Sequence, residues 1–396
     1  MSSSVTLSAA TRQNLLSLQD TSSLTSTTQS RLSTGKKVNS ALDSPVNFFT
    51  SQALSNRSSD LGSLLDGISN GIQTIQAANQ GLTSIQKLTD SAKSTANQAL
   101  STQITTSGTA STAFAASAST VNLFVNGSAV TATLTATDTI DTTIAKLNTA
   151  VGSTAFSKDT TGKKLVLNAS ADIEFKDAGS QTALGFAAGT GTAVSYGTTT
   201  TAVAGVAQSA DLTVSGVKER ANLAAQYNSL LTQIDQLAKD ASYNGVNLIA
   251  NSATSNKLHI SFNEKDTSNI DVQGADATST GLGLKATTKD SGPNANVGNF
   301  LLDADITATL NTINTASTTL RSQSSTFGSN LSVVQNRQDF TKNIINVLDT
   351  GSSNLTSADL NEEAANSQAL TTRQSLGISA LSLANQAQQG VLQLLR

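Results

Sequence analysis

The sequence has no cysteine and no tryptophan, one histidine (His259), one methionine (Met1) and two prolines, Pro45 and Pro293. Disulfides and thiol chemistry are excluded, and with them any metal site built on histidine or cysteine. Charged residues are 13% of the chain, and 24 basic against 27 acidic groups give a net charge of -3. Near neutrality removes a whole-chain pull on nucleic acid or anionic membrane, so no nucleic-acid partner is expected. No uncharged apolar run reaches the roughly 18 residues that span a bilayer, which argues against membrane insertion. The start, MSSSVTLSAATRQNLLSLQ, lacks a basic stretch followed by an apolar one, so it does not read as a cleavable signal peptide. What is abundant is Ser and Thr, together about 111 residues, which makes a polar but weakly charged surface.

Because a proline inside a helix costs about 3 kcal/mol, the scarcity of proline leaves long stretches free to be helical. Leu61, Ile68, Ile75 and Leu82 recur every seven residues, with Leu65 and Ile72 offset by four, and predict one rod over about 58–100. A second, about 305–349, carries Leu320, Phe327, Val334, Thr341 and Leu348 with Leu331, Gln338 and Ile345 interleaved. A third, about 209–242, carries Val217, Ala224, Leu231 and Ala238, with Tyr227, Ile234 and Ala241 three residues after members of that series. Packing along one another would bury these stripes. Asn79 and Gln86 fall at inner positions of the first rod, where buried polar residues more often fix register than bind a ligand.

The chain ends are different. Residues 1–34 hold Leu7, Leu15, Leu16, Leu18, Leu24 and Leu32 among many polar residues, and the other end holds Leu370, Ile378, Leu381, Ala384, Val391 and Leu395 near helical spacing. Neither buries enough surface to offset an ordering cost of about 1–2 kcal/mol per residue, so both read as arms that need partners. Between the first and third rods lies a Thr-, Ala- and Gly-rich insert, in which VNLFVNGSAVTATL predicts a hairpin turning at Asn126-Gly127, TIDTTIAKLNTAV a short helix and KKLVLNASADIEFKD two more strands. LHISFN and NIDVQG predict a further hairpin.

The fold class expected is mainly α: long coiled-coil-like helical rods with terminal arms passing from disorder to helix, plus a small α+β insert and a β-hairpin region. Catalytic groups do not assemble. His259 alternates with Leu258 and Ile260 as a solvent-facing strand residue, Glu362 and Glu363 suit a solvated helix face, and Gly281 and Gly283 lack a phosphate-loop setting. Neither an enzyme nor a cofactor is expected.

Three motifs carry a resemblance. RLSTGKKVNSALDSP at 31–45, with Gly35, Asn39 and Asp43, resembles the Leu-Ser-Ser-Gly run and following Asn-Ser-Ala-Asp of bacterial flagellins. SYNGVNLI at 242–249, with Asn244 and Gly245, resembles their aromatic-Asn-Gly motif, and LANQAQQGVLQLLR resembles their C-terminal helix. The insert resembles a motif of flagellins and hook-associated proteins, here placed between the rod at about 58–100 and the rod at about 209–242. The resemblance implies a filament core domain from arms 1–45 and 351–396, a shaft from 46–103 and 206–350, and a surface-exposed insert over 104–205. It implies a secreted, extracellular subunit of a helical homopolymer for motility, whose arms fold on polymerisation. Its partners would be other copies of itself, the flagellar export apparatus and chaperone, and hook-associated and cap proteins. The flagellin-sensing Toll-like receptor contacts a basic-acidic stretch of the first rod in this family. The aligned Gln86, Lys87, Leu88, Thr89, Asp90 and Ser91 put a short hydroxyl at Thr89 where an arginine is common, which implies weak or absent activation. A hook-filament junction protein shares the terminal motifs, and a secreted adhesin is a third reading.

Overall fold

The computed structural model describes residues 9–126, 128–189, 209–287 and 300–394. In chain order the elements are α1 (Ala9–Thr34), α2 (Pro45–Ser101), β1 (Thr105–Thr109), β2 (Ser119–Val125), β3 (Ser128–Leu134), α3 (Ile140–Val151), β4 (Phe156–Lys158), β5 (Leu165–Ala169), β6 (Ile173–Phe175), α4 (Ala178–Ala183), β7 (Leu212–Ser215), α5 (Val217–Asp240), β8 (Ser242–Tyr243), β9 (Val246–Asn247), β10 (Lys257–Ser261), β11 (Asn269–Gln273), α6 (Asp303–Thr356) and α7 (Leu360–Leu394). Helices of 57 and 54 residues dominate, with mixed α/β structure between them. Leu7, Gly127, Pro293 and Leu395 lie outside the described residues.

The chain divides into two compact units. The first comprises 1–69, 260–270 and 334–396. In it the early part of α2 runs beside the late part of α6: the Ser51 and Ser352 hydroxyls meet at 2.8 Å, and Gln338 Nε2 donates to Ser69 Oγ at 2.9 Å. Leu61, Ile68, Val334 and Leu348 are buried, and Leu65 and Ile345 are half-buried. Proline starts α2 at the first helical position, where its missing N–H costs nothing.

The second unit comprises 70–259 and 271–333. Ile72, Ile75, Leu82, Leu231, Ile234, Leu320 and Phe327 are buried there, and Leu331 is half-buried. Asn79 Oδ1 accepts from Ser324 Oγ at 3.2 Å, and Gln86 Nε2 donates to Ser317 Oγ at 3.0 Å, so both inner polar residues bond across to α6. The insert holds a four-stranded sheet of order β4-β5-β1-β7 and a three-stranded sheet of order β3-β2-β6, antiparallel at the pairings β1-β5, β1-β7, β4-β5, β2-β3 and β2-β6. Thr139 caps α3 by accepting from the Thr142 N–H, and Gly152 closes it at φ 74°.

The third rod is shorter than its heptad series suggests. Helix α5 starts at Val217, not near 209, because Leu212–Ser215 pairs with β1 and Gly216, at φ 84°, turns the chain into the helix. A side chain at Gly216 would collide with the Gln103 carbonyl. Arg220 is almost wholly buried just inside α5. Its Nε donates to the Thr102 carbonyl at 2.7 Å, and its Nη1 donates to the Phe300 and Leu301 carbonyls and sits 2.7 Å from Asp303 Oδ1.

Candidate assembly interface

The arms pair within one chain, since α1 packs antiparallel along α7, and the side chains that meet there are mostly polar. On α1 the covered positions are Thr11, Asn14, Leu18, Thr21, Thr25 and Thr28. On α7 they are Glu363, Ser367, Leu370, Gln374, Gly377, Leu381 and Ala384. Their three-four spacing is that of a coiled-coil seam, occupied here mostly by hydroxyls, amides and small residues, with Leu18, Leu370 and Leu381 among them. Thr21 and Thr25 donate back to the Ser17 and Thr21 carbonyls of their own helix at 2.7 Å, so these hydroxyls do not tie the helices together. Among the described residues one ion pair crosses the seam, Arg31 Nη1 to Glu363 Oε1 at 3.3 Å. A Cβ on Gly377 would come within 2.8 Å of Leu18 Cδ1, so the absence of a side chain there allows the helices to approach.

Most of the leucines face the other way. Leu15, Leu16, Leu24 and Leu32 of α1 are exposed, as are Leu376 (66%), Ile378 and Leu383 (69%) of α7. Among the described apolar residues expected to drive assembly, Leu18, Leu370, Leu381 and Ala384 are half-buried in the seam. Val391 lies in α7 with its side chain outside the description. Burying a leucine contributes about 1.5–3 kcal/mol, so the pair leaves most of its apolar stabilisation unused.

The motif residues hold turns. Gly35 ends α1 at φ 67°, where its carbonyl accepts from the Ala358 N–H at 2.9 Å and the next residue, Lys36, forms a β-bridge with Ser357. Asp43 Oδ2 accepts from the N–H groups of Asn39 (3.0 Å) and Ser40 (2.9 Å), and the Ser40 N–H, followed by that of Asn39, holds the Asp43 carboxyl below its ordinary range. Asn244 and Gly245, at φ 48° and 78°, form the two-residue turn between β8 and β9. Asn247 Nδ2 then donates to the Ala238 and Lys239 carbonyls at the end of α5. In the receptor-like stretch Lys87 and Asp90 are exposed, whereas Thr89 is buried and donates to the Ile85 carbonyl at 2.9 Å. His259 is exposed with Nδ1 beside Asp271, and among the described residues no group of three His, Cys, Asp or Glu could hold a metal ion. No helix among them is long and apolar enough to cross a membrane.

The sequence marks the arms but not their orientation, because a seam in which Leu18, Leu370 and Leu381 alternate with Thr, Ser and Gly has only a weak apolar signature. Glu363, expected on a solvated helix face, is instead buried and paired with Arg31 across the seam, and Gly377 carries no signal in the sequence. The comparisons with known proteins bear on these helices directly. Residues 5–130 match the bacterial flagellin N-terminal helical region and residues 310–395 the bacterial flagellin C-terminal helical region, together more than half of the chain. Flagellin FljM of Caulobacter vibrioides is 33% identical over 174 residues, 44% of this chain and 59% of that protein. A flagellin of Brucella melitensis is 27% identical over 182 residues, 45% of this chain and 63% of that protein, and flagellin C of Rhizobium meliloti is 37% identical over 75 residues, 19% and 23%. The chain thus covers less than two thirds of these curated relatives. With both terminal helical regions matched in order, on the helices that form the polar seam, the chain belongs to the bacterial flagellin family.

Proposed function

We propose that the chain is a structural subunit, not an enzyme, of an extracellular flagellar filament for motility. It self-assembles as a helical homopolymer in which α1 and α7 complete their packing against other copies. The observation that carries this reading is the inverted arm pair, polar inside and leucine-rich outside. Contacts that grow into an open helix must be heterologous, and an unsatisfied apolar face on a paired arm supplies one half of such a contact. Export apparatus and chaperone, hook-associated proteins and cap proteins are the further partners of this reading. A chain without cysteine suits passage through an export channel, since it cannot crosslink in transit. Activation of the Toll-like receptor is weak or absent, because the stretch offers Lys87 and Asp90 to solvent but no arginine fork. The test is seeded growth followed by electron microscopy. Full-length chain is expected to lengthen filament seeds, and chain lacking 1–34 and 357–396 is not. Full-length protein that stays monomeric on seeds, or truncated protein that grows normally, overturns the reading.

A further inference from the structure

Outside the arms, the first unit carries an apolar projection and an apolar hole. Before and within the first turns of α2, Leu42 (96% exposed), Val46 and Phe49 (62%) stand in solvent, and the Phe49 ring lies edge-on to Phe48 with centroids 5.5 Å apart. Solvated aromatic side chains are costly to leave uncovered, and this one is braced rather than free to fold back. Elsewhere on the same unit, beneath the tip joining β10 to β11, is a solvent-open cavity of about 210 Å³ whose apolar walls are Leu61, Phe262, Ile344 and the exposed Phe340, with Asn263, Ser268 and Thr341 also lining it. An apolar cavity of about 150 Å³ holds a benzene ring, so this one has room for a phenyl group.

Charge bears on the same contact. The cavity rim has two cations and one anion: Arg57, 3.7 Å from Glu264, and Arg337, whose guanidinium lies 5.6 Å from the Phe262 ring centre. The projection has the Asp43 carboxylate next to Leu42, held by the N–H groups of Asn39 and Ser40. Knob and hole occupy different places on one unit, so a copy cannot satisfy both with a single two-fold contact. Each joined pair leaves a free knob at one end and a free hole at the other, the condition for open growth.

We infer that Phe49 of one copy inserts into the hole walled by Leu61, Phe262, Phe340 and Ile344 on a second copy, with Asp43 of the first beside Arg57 and Arg337 of the second. This rests on the filament reading above and names one contact within it.

The absence of native cysteine makes the test clean. Single-cysteine chains Phe49→Cys and Ser268→Cys, the second at the cavity lining, are grown together on seeds and oxidised. Disulfide-linked dimers are expected in the mixture and not in filaments of either variant alone. Mixed filaments that grow without crosslinked dimers overturn the contact and leave the filament reading standing, whereas wild-type chain that fails to extend seeds overturns that reading instead. A folded Phe49→Cys chain that cannot extend seeds which Ser268→Cys extends counts for the knob. In parallel, Phe49→Ala is expected to raise the critical concentration about tenfold and Phe49→Leu less than about threefold. An unchanged value for Phe49→Ala overturns the inference.

Discussion

The insert and the arm pair are built from similar, Thr- and Ser-rich sequence and bury opposite things. In the insert Val121, Leu123, Leu147, Leu165 and Leu167 are fully buried in one cluster between strands and α3. In the arm pair threonine and glycine face inward and most leucines face out. Composition alone does not separate them; the direction of the apolar side chains does. One region is complete as a single copy, and the other is half of a core that a second copy must finish.

The largest expected effect is on growth. Removing 1–34 and 357–396 should abolish seeded elongation while leaving the denaturant midpoint of the insert unchanged, and a shifted midpoint would break the separation of the two regions. Next, Leu167→Ala should cost the insert about 2–5 kcal/mol in chemical denaturation, as expected where a fully buried leucine leaves a cavity.

The insert also carries a buried carboxyl. Asp172 is buried, its Oδ1 has no hydrogen-bond partner among the described residues, and burial pushes its carboxyl up to about 7 from 3.8. A raised folded value means the native state binds the extra proton between those limits. The contribution of Asp172 to insert stability should therefore be full below about pH 4 and be lost as pH rises through about 7, by on the order of a few kcal/mol. Asp172→Asn should flatten that dependence in denaturation series between pH 5 and 8, and an unaltered slope would show that the carboxyl is ionised in the native state. Smallest of all, Leu376→Ser should change the stability of the unassembled chain by less than about 0.5 kcal/mol, since its side chain already lies in solvent, yet raise the critical concentration for growth.

The sequence made some of this legible and hid the rest for physical reasons. Leu61, Ile68 and Ile75, or Phe327 and Val334, repeat with the helical period because one face of each rod is covered, so both long helices could be read directly. The alternation of Val121, Leu123 and Val125 marked β2 for the same reason. Strand β7 is absorbed into the helical pattern in the sequence, because four residues carry too little alternation against the heptad that follows. The arm seam was invisible because Thr21, Thr28 and Gly377 are chosen for size and local bonding, which leave no apolar period. Phe49 could not be ranked above Phe48 without knowing which ring faces solvent.

Amide hydrogen exchange, compared between free chain and assembled filament, addresses the central claim most directly. Helices α1 and α7 are expected to exchange fast in the free chain and slowly in the filament, while β2, β5 and α3 of the insert stay protected in both. Arms as protected in the free chain as the insert, or unprotected in the filament, would contradict the view that other copies complete their packing.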